Sequence, residues 1–217
     1  MERSAKPSPT TTAKRLLEAA GEVFAERGYR DGTILEICRR AGANIAAVNY
    51  HFGDKRNLYA EVFRYAHERA AEQHPAFGNV AADAPAAERL RAYVGAFLER
   101  IMGQGRPAWH GILIAREIAE PSGALDRVYE EELRPRHEYL EKVVREIVGP
   151  DLPRSRVRLC VFSIVAQCMF YRTAKPALAA LYPKERLDSG RIAEHITRFS
   201  LGALRELRAP EESNVHG

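Results

Sequence analysis

The stretch GANIAAVNYHF, residues 42–52, crowds Asn44, Asn49, Tyr50 and His51 onto a segment of about two helical turns. An isolated helix that short is marginal in water, so it must lean on its neighbours and can display polar groups only on the faces left over. Ala43 and Val48 have the size and placement for a core, with Phe52 as a further anchor. Asn44, Ile45, Ala46, Ala47, Asn49 and His51 then fall on other faces. An Asn carboxamide can bond the donor–acceptor pair on the edge of adenine, while Ile or Ala can meet a thymine methyl. Small residues also let a helix approach base pairs closely. Readout of a DNA major groove is the chemistry this set could perform.

The flanking elements must position that segment. Leu16, Leu17, Ala20, Val23 and Phe24 recur at helical offsets, with Lys14, Arg15, Glu18, Glu22 and Glu26 mostly facing away. This predicts an amphipathic helix that starts among Thr10–Thr12 and stops at Gly28. Thr33, with Glu36 three residues on, forms a capping box for a second helix burying Ile34, Ile37, Cys38 and Ala41. Gly42 supplies a tight turn, Asn44 a cap, and the short third helix covers Ile45–His51. Two helices joined this way have helix-turn-helix spacing. A fourth helix follows, capped by Asp54, beginning near Lys55, carrying Leu58, Tyr59, Val62, Phe63 and Ala66, and ending around His74–Pro75.

The segment TAKRLLEAAGEVFAERGYRDGTILEICRRAGANIAAVNYHFGDKRNLYAEVF resembles the DNA-binding domain of the tetracycline-repressor (TetR) family of bacterial regulators. The features that carry the resemblance are FAERGY closing the first helix, Thr33 opening the second, the Cys-x-Arg-Ala-Gly run at its end, and NYHFGDKRNLY after it. The resemblance implies that the helix around 45–51 is the recognition helix. Asn44, Ile45, Ala46 and Asn49 become candidates for base contacts, and Tyr50 and His51 for phosphate or base contacts. Thr33 matches a phosphate-contacting cap and Lys55 the basic residue at the start of the fourth helix. Arg39 and Arg40 read most simply as a solvated helix face, with proximity to phosphate as the alternative. Many family members have Gly or Pro where Ala46 and Ala47 stand and Tyr where Asn49 stands, so no relative's operator can be copied.

Beyond the Ala- and Pro-rich segment PAFGNVAADAPAAE, helical patterns continue. They cover Leu90–Ile101, Trp109–Ile118, Leu125–Leu133 and Tyr139–Ile147, with Pro135 bending or interrupting the chain, and then two long helices over 155–173 and 189–207. No strand-like alternation is sustained. The predicted fold is all-α, with about nine helices: an N-terminal three-helix helix-turn-helix DNA-binding domain and a larger helical ligand-binding and dimerisation domain. The expected organisation is a flexible arm over 1–9, the DNA-binding domain over 10–54, a linking helix over 55–74, an effector-binding and dimerisation domain over 75–210, and a disordered tail over 211–217. The basic N-terminal arm, with Arg3, Lys6, Lys14 and Arg15, could brush DNA.

Within the larger half, REIAEPS and ELRP resemble the CecR-type subgroup of the same family. The resemblance implies a homodimer built by the last two helices and a small-molecule effector. The apolar faces agree with the dimer: Val157, Cys160, Val161, Ile164, Val165, Cys168 and Met169 on one helix, and Ile192, Ile196, Phe199 and Ala203 on the other. A two-fold dimer would set two recognition helices on a near-palindromic site. Trp109, His110, Arg116, Glu117, Tyr139, Gln167, Met169, Tyr171 and Arg172 are the candidate effector contacts, aromatics for area and polar groups for orientation. Each has a plainer reading: Trp109 as core, His110 as an interior histidine, Arg116 and Glu117 as a salt bridge or cap.

Composition limits the alternatives. The chain of 217 residues is 46% hydrophobic and 29% charged, ordinary for a globular protein, and a formal charge of +4 permits an anionic partner without requiring one. Three cysteines with no spaced framework predict free thiols and a reducing, cytoplasmic setting. The apolar run Leu159–Met169 is about half a bilayer span, so no membrane partner is expected. The sequence lacks a phosphate-cradling Gly-rich loop, a nucleophile elbow and an HExxH pair, and His67 and His74 are too far apart for the usual helical metal pair. No enzyme activity, cofactor or metal is expected. The reading is a ligand-responsive transcriptional regulator, most simply a homodimeric repressor released from DNA by its effector. The alternative is a DNA-binding regulator controlled by a protein partner without a small-molecule effector.

Overall fold

The computed structural model describes residues 11–73, 75, 77–102, 109–186 and 188–208. The expected arm over 1–9 and tail over 211–217 lie outside them, as does His74. Among the described residues there is no strand; the helices are α1 (Thr11–Asp31), α2 (Ile34–Ala41), α3 (Ile45–Phe52), α4 (Lys55–Gln73), α5 (Ala86–Met102), α6 (His110–Ala119), α7 (Asp126–Val128), α8 (Arg134–Val148), α9 (Arg154–Thr173), α10 (Lys175–Leu181) and α11 (Ser189–Arg208). The all-α expectation holds.

Two features depart from the periodicity. α7 and α8 are joined by a π-helical turn, Tyr129–Leu133, so the helical path continues where Pro135 was expected to bend or interrupt it. Pro135 lies in the first turn of α8, where its missing N–H has no helical partner to lose. The second departure is α10, which forms in a segment expected only to separate the last two long helices. Its residues Lys175–Leu181 contain no buried side chain, so they carry no core-facing stripe to read.

By its contacts the chain forms two compact units, Met1–Arg69 with Gly105–Val128, and Ala70–Gln104 with Tyr129–Gly217. In the first, α1 packs against α2, α3 and α6. Its core contains Leu16, Val23, Phe24, Ile37, Val48, Leu58, Tyr59 and Val62. Phe24 meets Tyr59 edge to face with ring centroids 5.0 Å apart, and Tyr29 lies 4.9 Å from the same ring. In the second unit α5, α8, α9 and α11 pack around Leu90, Leu98, Leu140, Val144, Ile164 and Ile196. No single described helix is long and apolar enough to cross a membrane.

Candidate nucleic-acid interface and the helices behind it

Each end of α2 and α3 is held by its own chemistry. Thr33 Oγ1 accepts from the Glu36 N–H at 3.2 Å, satisfying one of the free donors of α2. Gly42 closes that helix at φ 60°, a left-handed conformation disfavoured for residues with a Cβ, and its N–H and that of Ala43 return to Arg39 and Cys38 carbonyls. Asn44 Oδ1 accepts from the Ala47 N–H at 2.9 Å and starts α3, while Gly53 at φ 81° ends it. Asp54 Oδ1 then accepts from the Asn57 N–H at 2.7 Å and opens α4.

On α3 only Val48 is fully buried; Ala43, Ala47, His51 and Phe52 are half-buried. Asn44, Ile45, Ala46, Asn49 and Tyr50 are exposed, Tyr50 to 84%. Tyr50 is therefore displayed, its ring 4.9 Å from that of His51. The Asn49 carboxamide makes no hydrogen bond to the described residues, so both of its ends are available, while its backbone carbonyl accepts from the Gly53 N–H at 3.0 Å. Asn44 differs, because its oxygen already serves the cap and a two-point contact to adenine would compete with it. Thr33 is exposed, and a hydroxyl accepting from Glu36 still has its own hydrogen to donate.

The basic residues divide. Lys55 Nζ donates to the Arg30 carbonyl at 3.0 Å and sits 4.9 Å from the Tyr29 ring, with burial pulling its pKa down from the ordinary lysine value. The ammonium keeps further donors for a phosphate. Arg40 is forked onto Glu26 at 2.9 and 2.6 Å and bonds Glu36 at 2.8 Å, and Arg27 reaches Glu36 at 2.9 Å. Arg40 thus ties α2 to α1, and the bond from Arg40 lowers the Glu26 pKa. Arg39 remains exposed. The candidate contacts do not include Leu35, a large apolar side chain 70% exposed on α2. Its signal was available: it is the one large apolar residue of α2 outside the stripe of Ile34, Ile37, Cys38 and Ala41.

Four of the candidate effector contacts lie in this same unit, and each has partners there. Trp109 is 9% exposed and stands against α1 where Gly21 leaves room; a Cβ on Gly21 would lie 2.3 Å from the indole. His110 Nε2 is 2.8 Å from His67 Nδ1, both rings buried, with Phe63 stacked on His67 at 5.1 Å. Arg116 donates to the carbonyls of Ala25 at 2.7 Å and Glu26 at 2.8 Å. Those carbonyls are freed because Gly28, at φ 80° and ψ 173°, breaks the helical path of α1 just beyond them. Glu117 is buried and accepts from Tyr59 Oη at 3.1 Å and from the Ser122 N–H and hydroxyl at 3.0 Å each. α6 is thereby joined to α1 and α4 by polar contacts whose groups are largely shielded from water. Arg56 extends the set, donating to the Gly123 carbonyl at 2.7 Å.

The other candidates lie in the second unit. Tyr139 sits between Phe77 at 4.5 Å and Tyr93 at 6.1 Å, and burial raises its pKa. Gln167 Nε2 donates to the Ser163 carbonyl at 3.3 Å and to Ser200 Oγ at 3.4 Å, so α9 and α11 share a polar contact. Met169 is buried, while Tyr171 and Arg172 are half-buried. Burial lowers the Arg172 pKa. All three cysteines are free, and no cluster of three metal-ligating side chains exists among the described residues.

Comparison with known proteins matches both halves. Residues 16–62 match the model described as bacterial regulatory proteins, tetR family. Residues 86–204 match that of the HTH-type transcriptional dual regulator CecR, C-terminal domain. CecR of Shigella flexneri is 27% identical over 176 residues, covering 76% of this chain and 77% of that protein. The HTH-type transcriptional repressor AcnR of Corynebacterium glutamicum is 36% identical over 72 residues, covering 33% of this chain and 38% of its own. Among solved structures, AibR in complex with isovaleryl coenzyme A and operator DNA superposes with a TM-score of 0.66 at 18% identity, over 87% of this chain and 97% of that one, and so shares the fold. With a helix-turn-helix built as described and a C-terminal model that spans more than half its length, this chain belongs to the TetR family of DNA-binding transcriptional regulators, with a CecR-like C-terminal domain.

Proposed function

We propose that the protein is a homodimeric repressor that binds a near-palindromic operator through α3 and is released by a small-molecule effector. The observation that carries this reading is the division of α3: Val48 anchors it, while Ile45, Ala46, Asn49 and Tyr50 stand exposed together. In this reading Asn49, Ile45 and Ala46 read bases, Tyr50 and His51 meet bases or phosphate, and Thr33 and Lys55 hold phosphates at the starts of α2 and α4. Asn44 acts first as the cap and contributes to DNA through its amide hydrogens.

Val157, Val161, Ile164, Cys168, Met169, Ile192 and Ile196, expected on the dimer faces, are buried within the protomer, so the dimer reading rests instead on exposed apolar side chains in the second unit. Leu159, Phe162 and Phe170 on α9 and Phe199 on α11 are each more than half exposed, a cost that a second copy of the same helices would relieve. The effector reading is supported by AibR, of the same fold, whose structure is a complex with isovaleryl coenzyme A and operator DNA. For this chain we assign effector contact to the second unit, around Tyr139, Gln167, Met169, Tyr171 and Arg172. Trp109, His110, Arg116 and Glu117 are assigned to transmission, since α6 is bonded directly to α1 and α4. An effector acts only through its different affinity for the DNA-competent and incompetent arrangements.

The test is titration of a duplex carrying the promoter beside the coding region at two salt concentrations. Salt-sensitive binding that is lost in the Asn49→Ala, Lys55→Ala double variant is expected. Binding that ignores both salt and these substitutions would remove the assignment. For the effector, a Gln167→Leu variant whose response to every candidate compound equals that of the wild type would favour control by a protein partner.

A further inference from the structure

The eight residues of α2 fall into four flanks, each made of two side chains four apart in sequence and so stacked on one side of the helix. Ile37 with Ala41, and Ile34 with Cys38, turn toward the core, buried except for the half-buried Ile34. Glu36 with Arg40 make the flank tied to α1: Arg40 forks onto Glu26 at 2.9 and 2.6 Å, and Glu36 accepts from Arg27 at 2.9 Å. Leu35 with Arg39 make the fourth flank, and only there are both members exposed. Core contacts and ion pairs together fix the rotation of α2, so Leu35 cannot roll inward and stands 70% exposed.

A single exposed leucine is common on protein surfaces and by itself marks nothing. Its company decides the matter. Among the described residues of α1–α4, the exposed large apolar side chains are Leu35 on α2 and Ile45 and Tyr50 on α3, while α1 and α4 expose none. Leu35 and Ile45 each lie in the first turn of their helix, next to the capping side chains Thr33 and Asn44, and α2 packs on α3. The Leu35 flank also carries charge: Arg39 is exposed and forms no ion pair among the described residues. At the start of the same helix the exposed Thr33 hydroxyl keeps a hydrogen to donate. An apolar protein surface closing over Leu35 would bury that cation and that donor without partners, at a cost. A polyanion displaying methyl groups suits all three, and duplex DNA is one, with phosphates along its strands and the thymine C5-methyl in its major groove.

We propose that α2 also reads the operator: Leu35 packs on the C5-methyl of a thymine, at a base pair other than those met by α3. This inference rests on the operator-binding reading above and adds to it a specificity residue on the helix that otherwise only braces α3. Arg39, one turn along the same flank, attracts the strands but chooses no base. Leu35 chooses, because in the major groove thymine alone of the four bases offers a methyl group. Burying one such group is worth about fourfold in affinity.

The experiment is a double-mutant cycle across the interface, measured by fluorescence anisotropy with the full-length protein. The duplex carries the promoter beside the coding region, and each thymine of the segment protected by the protein is replaced in turn by deoxyuridine, which removes only the C5-methyl. The wild type should lose about fourfold in affinity at the thymine that meets Leu35. Leu35→Ala should bind the unmodified duplex about fourfold or more weakly, and should lose less than about 1.5-fold when that same methyl is removed. Thymines met by Ile45 or Ala46 should respond equally in both proteins. Leu35→Gln, with the same expectation, serves as a second variant, and circular dichroism checks that both are folded. The proposal falls if no thymine shows a methyl effect that these variants abolish. Variants that bind every duplex as the wild type does give that result, and so do variants that weaken all duplexes alike, which would make Leu35 a backbone contact. Salt-sensitive operator binding by the wild type without this coupling removes only the Leu35 contact, and absent operator binding removes the reading beneath it.

Discussion

Asn44 commits its amide oxygen to the Ala47 N–H, whereas the side-chain carboxamide of Asn49, farther along the same helix, makes no hydrogen bond to the described residues. The two should therefore respond differently to substitution. Asn44→Ser keeps a cap and should leave stability nearly unchanged, while Asn44→Ala should cost about 1 kcal/mol in urea unfolding. Asn49→Ala should leave stability within about 0.5 kcal/mol but weaken operator binding by about 1–3 kcal/mol, with relaxed preference at one base pair. Fluorescence anisotropy against a set of singly changed duplexes measures both quantities. If Asn49→Ala binds every duplex as the wild type does, Asn49 reads no base.

At the level of elements, α6 is the informative one. Its Arg116 bonds two carbonyls that the Gly28 break leaves unpartnered at the end of α1, and its Trp109 neighbour fills the space over Gly21. Gly21→Ala would force a methyl to 2.3 Å from the indole and should destabilise the first unit by at least about 1–3 kcal/mol. Trp109 is the sole tryptophan, so its fluorescence during denaturation reports that unit directly. Arg116→Met removes charge-assisted bonds to both carbonyls and should cost about 1.5–3 kcal/mol by the same measurement. In the proposed mechanism it should also blunt effector release of DNA at effector concentrations that saturate the protein. An unaltered release curve would take α6 out of the transmission path.

For the whole molecule, the proposed dimer is what a prediction can reach. An α3 of eight residues would contact few base pairs, and pairing two copies on a near-palindromic site would multiply its selectivity. Phe162→Glu combined with Phe199→Glu places charges on the exposed faces of α9 and α11, which no buried contact in the protomer requires. Sedimentation velocity should then show a monomer, with operator affinity reduced by a factor on the order of a hundred or more. A double variant that remains dimeric would move the interface elsewhere. With a formal charge of only +4, binding strength should fall with salt according to the number of phosphates contacted, not the net charge.

The DNA-binding segment was legible because its signals are local. Thr33, Gly42, Asn44 and Asp54 each act on backbone groups within four residues, and the stripe from Leu16 to Phe24 repeats with the helical period, so one sequence sufficed to locate α1–α4 and the family. Gly28 illustrates the limit, since the main helix breaks there as expected but a further turn reaches Asp31. Contacts between residues far apart in the chain carried no such signal. Arg116 with Ala25, His67 with His110, and Tyr59 with Glu117 are separated by dozens of residues, and any of them could equally have faced a ligand. The sequence by itself determined which segments are helical and which short helix is built to display polar groups, because caps and periodicity act over a few residues. Only the tertiary structure decided which polar side chains are consumed in holding helices together and which charges are enclosed, because burial depends on the packing of elements that the chain order does not reveal.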